Sequence, residues 1–142
     1  MKKIILSTVL LVTITLHAQF RAGIGAGYDL NNNVVVSVLD ASYETSVGVT
    51  LGATLTPSMT RYVNAANYAG LNLGYNIAGT GIIPSVGAYY NFMASDQHSD
   101  MNEWRIGYSL KVQILLSERG GVFINGMISK SAQVSGGIYY KF

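Results

Sequence analysis

The densest group of reactive side chains in this chain is Ser95-Asp96-Gln97-His98-Ser99-Asp100. Serine, histidine and aspartate are the parts of a nucleophilic hydrolase, in which the imidazole takes the serine proton and the carboxylate orients the imidazole. A triad is defined by geometry rather than order, so the stretch qualifies as a candidate. Against it, Ser99 follows His98 directly, no Gly-x-Ser-x-Gly elbow occurs, and Ser and Asp are ordinary residues of solvated loops. A surface loop accounts for the same residues, and no catalytic group is assigned. Apart from His17 in the N-terminal leader, His98 is the one histidine, and with scattered carboxylates it is not a transition-metal set; Asp96 and Asp100 could at most touch a divalent ion, so no metal and no cofactor is expected. Gly23-Ile24-Gly25-Ala26-Gly27 keeps strict alternation with no helix signal after it, so it is not a phosphate loop. Its glycines read instead as relief of crowding in a narrow interior.

A second set of chemically active residues is spread along the chain: Arg21, Asp29, Glu103, Arg105, Lys111 and Lys141. Each falls at an alternate position opposite an apolar residue, as in Trp104, Ile106, Tyr108, Leu110, Val112 and Ile114 against Glu103, Arg105, Gly107, Ser109, Lys111 and Gln113. Period two is the signature of a strand, and no amphipathic helix places charges in this way.

The same alternation recurs along the chain. Phe20, Ala22, Ile24, Ala26 and Tyr28 oppose Arg21, Gly23, Gly25, Gly27 and Asp29, and Asn31-Asn32-Asn33 then makes a turn because Asn tolerates positive φ. A Val-rich strand follows over about 34–40, with Val34, Val36 and Val38 expected to face outward. Further strands are expected at 46–56, 67–77, 82–93, about 103–114, 121–129 and 132–142, with longer connections at 57–66 and 94–101. Pro57 ends the third strand, since proline cannot donate to a ladder, and Pro84 weakens only the start of the fifth. The last strand alternates Val134, Gly136, Ile138, Tyr140 and Phe142 with Gln133, Ser135, Gly137, Tyr139 and Lys141.

Composition supports a wall that faces lipid. Of 142 residues 49% are apolar and only 11% charged, and the 16 Gly and 10 Tyr are unlike a helical membrane protein. With no Cys, neither a disulfide framework nor a lipid anchor on cysteine is possible. Without Lys2 and Lys3, seven basic residues face seven acidic ones, which gives no sign of a nucleic-acid partner. Lys2-Lys3, the apolar run from Ile4 to Leu16 and Ala18-Gln19 have the order of a secretory signal, so residues 1–18 are expected to be a cleaved signal peptide and 19–142 a single barrel domain. The apolar run is shorter than the roughly 20 residues of a spanning helix.

Leader, eight alternating segments and an aromatic final residue together resemble the small eight-stranded outer-membrane β-barrel proteins of Gram-negative bacteria, of the OmpX and OmpA type. The resemblance is architectural and covers the whole mature chain. It implies an all-β, eight-stranded antiparallel up-and-down transmembrane barrel with long loops outside and short turns toward the periplasm. It also implies that Val134, Ile138, Tyr140 and Phe142 form a recognition signal for the barrel-assembly machinery. Outward aromatics near strand ends, Phe20, Tyr75, Tyr140 and Phe142 on one side and Tyr28, Tyr90, Phe92 and Trp104 on the other, fit interfacial girdles. Arg21, Asp29, Glu103, Arg105, Lys111 and Lys141 would then form an interior charge network.

The expected function is non-enzymatic: an integral outer-membrane protein with an envelope-structural or surface-interaction role, in contact with outer-membrane lipid and lipopolysaccharide and with a surface partner that the sequence does not identify. Three alternatives stay open. Some barrels of this kind are lipid A deacylases or acyltransferases, which suggests a lipid-modifying enzyme using the loop around His98, although the His-any-Ser spacing of the deacylases is absent. Four interior bases against two acids motivate a narrow anion-selective channel, although eight strands leave an interior that side chains largely fill. A secreted, lipocalin-like binding barrel would reverse the faces and point the apolar set inward.

Overall fold

The computed structural model describes residues 19–59, 67–92, 106–129 and 131–142. They form eight strands: β1 Gln19–Asp29, β2 Val34–Glu44, β3 Val49–Thr56, β4 Tyr68–Tyr75, β5 Ile82–Asn91, β6 Ile106–Leu115, β7 Gly120–Ile128 and β8 Ala132–Lys141. Each pairs antiparallel with its chain neighbours, and β1 also pairs with β8, so the sheet closes into an up-and-down barrel with no free edge. The expected all-β eight-stranded architecture is therefore present. The expected signal peptide at 1–18 lies outside the described residues.

Local chemistry places the turns. The Asp29 carboxylate accepts hydrogen bonds from the Asn31 and Asn32 backbone N–H groups at 3.1 and 2.9 Å, and Asn33 takes φ 52°, a left-handed conformation that asparagine tolerates. β3 begins at Val49 rather than at residue 46, because Gly48 at φ 83° turns the chain and Thr45 exchanges backbone hydrogen bonds with Val49 and Gly48. The turns at 45–48, 76–81 and 116–119 lie at the end of the barrel that holds the start of β1 and the end of β8; the longer connections lie at the other end.

A row of paired inward-facing residues runs from Arg21 through Ser42, Gly52, Asn72, Gly87, Ser109, Met127 and Gln133, and returns to β1 at Asp29, eight residues further along. Eight strands with a stagger of eight tilt by about 36°. Ten residues at about 3.3 Å then cover roughly 27 Å, close to the apolar band of about 25 Å in barrel membrane proteins. A stagger of this size also makes the barrel narrow.

Glycines accommodate that narrowness. Tyr89 lies over Gly70, Tyr139 over Gly121 and Phe123 over Gly137, each a directly opposed cross-strand pair. A Cβ at Gly70 would stand 2.5 Å from the Tyr89 ring, and one at Gly137 would stand 2.7 Å from the Phe123 ring. Interior rings can lie flat on the wall only where the neighbouring strand has no side chain. Two inner apolar clusters result, Val38 with Phe123 and Tyr139, and Tyr68 with Tyr89 and Met127.

One facing expectation is corrected. Val34, Val36 and Val38 point inward, Val36 and Val38 being 0% exposed, whereas Val35 and Leu39 are 46% and 50% exposed. β2 runs on to Glu44, and Asp40, Ser42 and Glu44 share the parity of those three valines. A one-residue register slip exchanges the faces of a whole strand, so placing the three polar groups inside carries the valines in with them. The other outward sets fall as expected: Leu51 and Leu55 on β3, Leu71, Leu73 and Tyr75 on β4, and Val86 and Tyr90 on β5 are all exposed.

Candidate functional site

The strongest candidate for a site is the barrel interior, where alternation turns the polar side chains toward one axis. Arg21 on β1 donates from Nη2 to the Glu44 carboxylate on β2, and Asn76 Nδ2 donates to the second Glu44 oxygen at 2.8 Å. Further along the axis, Lys111 Nζ lies 2.7 Å from Asp40 Oδ1, with both side chains almost fully enclosed. Thr54 Oγ1 donates to the same Asp40 oxygen at 2.6 Å, and Gln113 Nε2 approaches the other at 3.4 Å. The network extends from Thr54 to Asn72 Nδ2 at 2.9 Å; Asn72 Oδ1 accepts from Tyr89 and Ser109, and Asn125 reaches Tyr89. Toward the long-loop end, the Tyr68 and Ser129 hydroxyls are 2.7 Å apart, and Ser131 Oγ donates to Asp29.

These partners decide what the interior can do. At the level of Asp40, Lys111 and Gln113 the side chains are 5%, 2% and 0% exposed, so packed protein rather than water fills that layer. Arg21 and Lys111 are each neutralised by an acid, and Asp29 adds a third inward carboxylate. The excess of interior base that motivated an anion path is therefore absent among the described residues.

The sequence-derived candidates separate as follows. Arg21, Asp29 and Lys111 are buried within the barrel, but in three different clusters. Asp29 serves the 30–33 turn and Ser131, with no ion pair among the described residues. Lys141 is half-buried at the short-turn rim, where its backbone N–H donates to Arg119. Glu103, Arg105, Trp104 and the loop around His98 lie outside the described residues, as does most of the 57–66 connection. Phe20, Tyr28, Tyr75, Tyr90, Phe92, Tyr140 and Phe142 are all exposed on the outer wall. Phe20, Phe142 and Tyr140 form one aromatic group at the short-turn rim, with ring centroids 5.8 and 5.0 Å apart. Val134 and Ile138 lie on the outer face of β8.

Sequence reasoning missed Asp40 and Glu44, the two acids that neutralise the interior. Their signal was present in the spacing Asp40, Ser42, Glu44, and was masked by the valine run ahead of it.

The outer wall is the complement of this interior. Along all eight strands its described side chains are apolar or aromatic and carry no charge; apart from tyrosine hydroxyls, Ser37 is the single polar one, bonded to the Pro57 carbonyl at 3.3 Å. A water-soluble binding barrel requires the reverse arrangement.

No family model and no curated protein matches the chain. Among solved structures it is similar to a protein from the de novo design of transmembrane β-barrels, with TM-score 0.63 and 18% identity over 87% of this chain and 95% of that one. It is also similar to the solution NMR structure of the de novo designed TMB2.3, with TM-score 0.58 and 14% identity over 87% of this chain and 93% of that one. The shared feature is the fold, a closed eight-stranded antiparallel barrel.

Proposed function

We propose that this protein is an integral outer-membrane β-barrel of the small OmpX and OmpA architectural type, exported through the periplasm, with a non-enzymatic envelope-structural or surface-interaction role. The observation that carries this is the uncharged outer wall. Thirty large apolar and aromatic side chains are exposed among the described residues, far beyond the scattered apolar groups of a soluble surface. Lipid is the solvent in which such a wall is stable, and barrel closure meets the accompanying demand that every strand edge be paired. Outer-membrane lipid and lipopolysaccharide would surround the wall, the long-loop end would meet the surface partner, and Val134, Ile138, Tyr140 and Phe142 would serve the assembly machinery.

The first test is membrane fractionation with a heat-modifiability gel. The folded chain is expected in the outer-membrane fraction and should change mobility on boiling; a folded monomer soluble in buffer would overturn the assignment. A second expected result is specific to the wall. Leu110, on the outer face of β6 and paired in register with Val86 and Gly126, sits near mid-height. Leu110→Arg should destabilise the barrel in vesicles by about 2–4 kcal/mol, the cost of a base near the bilayer midplane. An unchanged urea midpoint would mean that this face does not meet lipid.

A further inference from the structure

The interior accounts for two of the four basic residues that the structure describes; the other two, Arg119 and Lys141, stand together at the short-turn rim. Neither takes part in an ion pair among the described residues. They are held side by side by the backbone hydrogen bond from Lys141 N to Arg119 O at 2.8 Å. The turn carrying Arg119 is fixed by Leu116 N and Ser117 N, each donating to Gly120 O at 3.0 Å. With Leu115, Glu118, Tyr140 and Phe142 they line an open notch of about 780 Å³. Its composition is divided: the Tyr140 and Phe142 rings continue the outer wall, Leu115 packs toward the inner Val38, Phe123 and Tyr139 cluster, and two basic side chains and one acidic one complete the lining. Tyr140 and Phe142 are 46% and 73% exposed, so the aromatic side of the notch faces what the barrel wall faces.

We propose that this notch binds one glycerophospholipid of the leaflet at the short-turn end, with its phosphate on Arg119 and Lys141, its headgroup ammonium on Glu118, and its acyl chains along Tyr140 and Phe142. The proposal rests on the membrane reading above. Charge complementarity selects the occupant. A guanidinium and an ammonium match a phosphodiester, the former through its planar donor fork. The carboxylate gains a charge-assisted hydrogen bond only when the headgroup carries a primary ammonium, because a quaternary ammonium has charge but no N–H to donate and a glycerol headgroup has no positive charge. Aromatic rings at this level suit the glycerol region, where one end of the occupant is apolar and the other wet.

The test is retention of lipid by the full-length folded barrel, taken from vesicles of equal phosphatidylethanolamine, phosphatidylglycerol and phosphatidylcholine content and read by native mass spectrometry. Phosphatidylethanolamine should be retained preferentially. Arg119→Gln/Lys141→Gln should lower retention of every lipid by about tenfold or more, from the loss of two basic contacts. Glu118→Gln should abolish the preference for ethanolamine over glycerol while leaving retention itself in place. Equal retention of the three lipids, no loss in the double variant, or displacement of the lipid by millimolar inorganic phosphate would each overturn the site. A heat-modifiability gel on the same samples separates the two levels. A chain that never enters vesicles sinks the membrane reading and the site together, whereas an embedded barrel with indiscriminate retention sinks the site alone. All variants should keep the parent's urea midpoint, since the substituted side chains lie on a rim and a turn.

Discussion

Gly25→Val is expected to leave little or no closed barrel, lowering the unfolding free energy in vesicles by about 3 kcal/mol or more, at or beyond the upper end of ordinary overpacking. Gly25 faces inward on β1 at the seam with β8, opposite Gly137. A Cβ there would stand 2.2 Å from the Gly136 carbonyl oxygen and 2.8 Å from Gly137 Cα. Both obstacles are backbone, so no rotamer change relieves the clash and β8 itself must move. Moving β8 breaks the ladder that joins the last strand to the first, and in lipid the freed N–H and C=O groups have no other partner. The cause is space rather than backbone conformation, because Gly25 is not among the residues with positive φ. Gly126→Ala supplies the control. Gly126 lies on the outer face of β7, where an added Cβ meets nothing within 4 Å, and its substitution should change stability by no more than about 0.5 kcal/mol. Equilibrium urea unfolding in vesicles, with the folded fraction read on an unboiled gel, compares the two. Similar stabilities for both variants would show that the seam is not closed as tightly as the structure has it.

Alternation made most of this fold legible, and the exceptions have a common physical origin. β6 could be read from its own residues because Leu110 and Val112 fall between Ser109, Lys111 and Gln113, so each parity has one character. β2 could not be read that way. Val34, Val35 and Val36 are consecutive, which leaves both faces apolar over the first turn of the strand, and only Asp40, Ser42 and Glu44 further along break the tie. The short interior accepts valines because barrel interiors are filled, so an apolar residue there violates no rule. Choosing the wrong parity for β2 hid Asp40 and Glu44 and made the interior look basic. Pairing was also illegible for a deeper reason. Period two assigns a face, whereas the meeting of Lys111 with Asp40, 71 residues apart, depends on the stagger with which eight strands close. The same limit separates Asp29 from the ion pairs. Its parity is inward, yet its height puts it against the Asn31-Asn32 turn and Ser131.

Lys111→Met is expected to cost about 3–5 kcal/mol of barrel stability, the loss that follows when one partner of a buried ion pair is removed. The size comes from what is left behind. Asp40 would keep Thr54 at 2.6 Å and Gln113 at 3.4 Å as neutral donors, but its charge would have no counter-ion in a layer closed to water. Asp40→Leu should be as damaging for the mirror-image reason, since it strands the buried Lys111 ammonium beside Gly52 with no acid next to it. Lys111→Met/Asp40→Leu should recover most of either loss, because two apolar groups of similar volume need no solvation. What the double variant still lacks is the acceptor for Thr54, whose hydroxyl would be left with Asn72 alone as partner. Unfolding free energies for the parent, the two single variants and the double variant close a mutant cycle whose coupling term measures the pair. A coupling below about 1 kcal/mol would place the pair in the range of solvent-exposed salt bridges and would mean that water reaches this layer. A coupling of several kcal/mol would mean that charge inside this barrel is tolerated only in compensated pairs, and would make the Lys111 and Asp40 pair a condition of the closed interior.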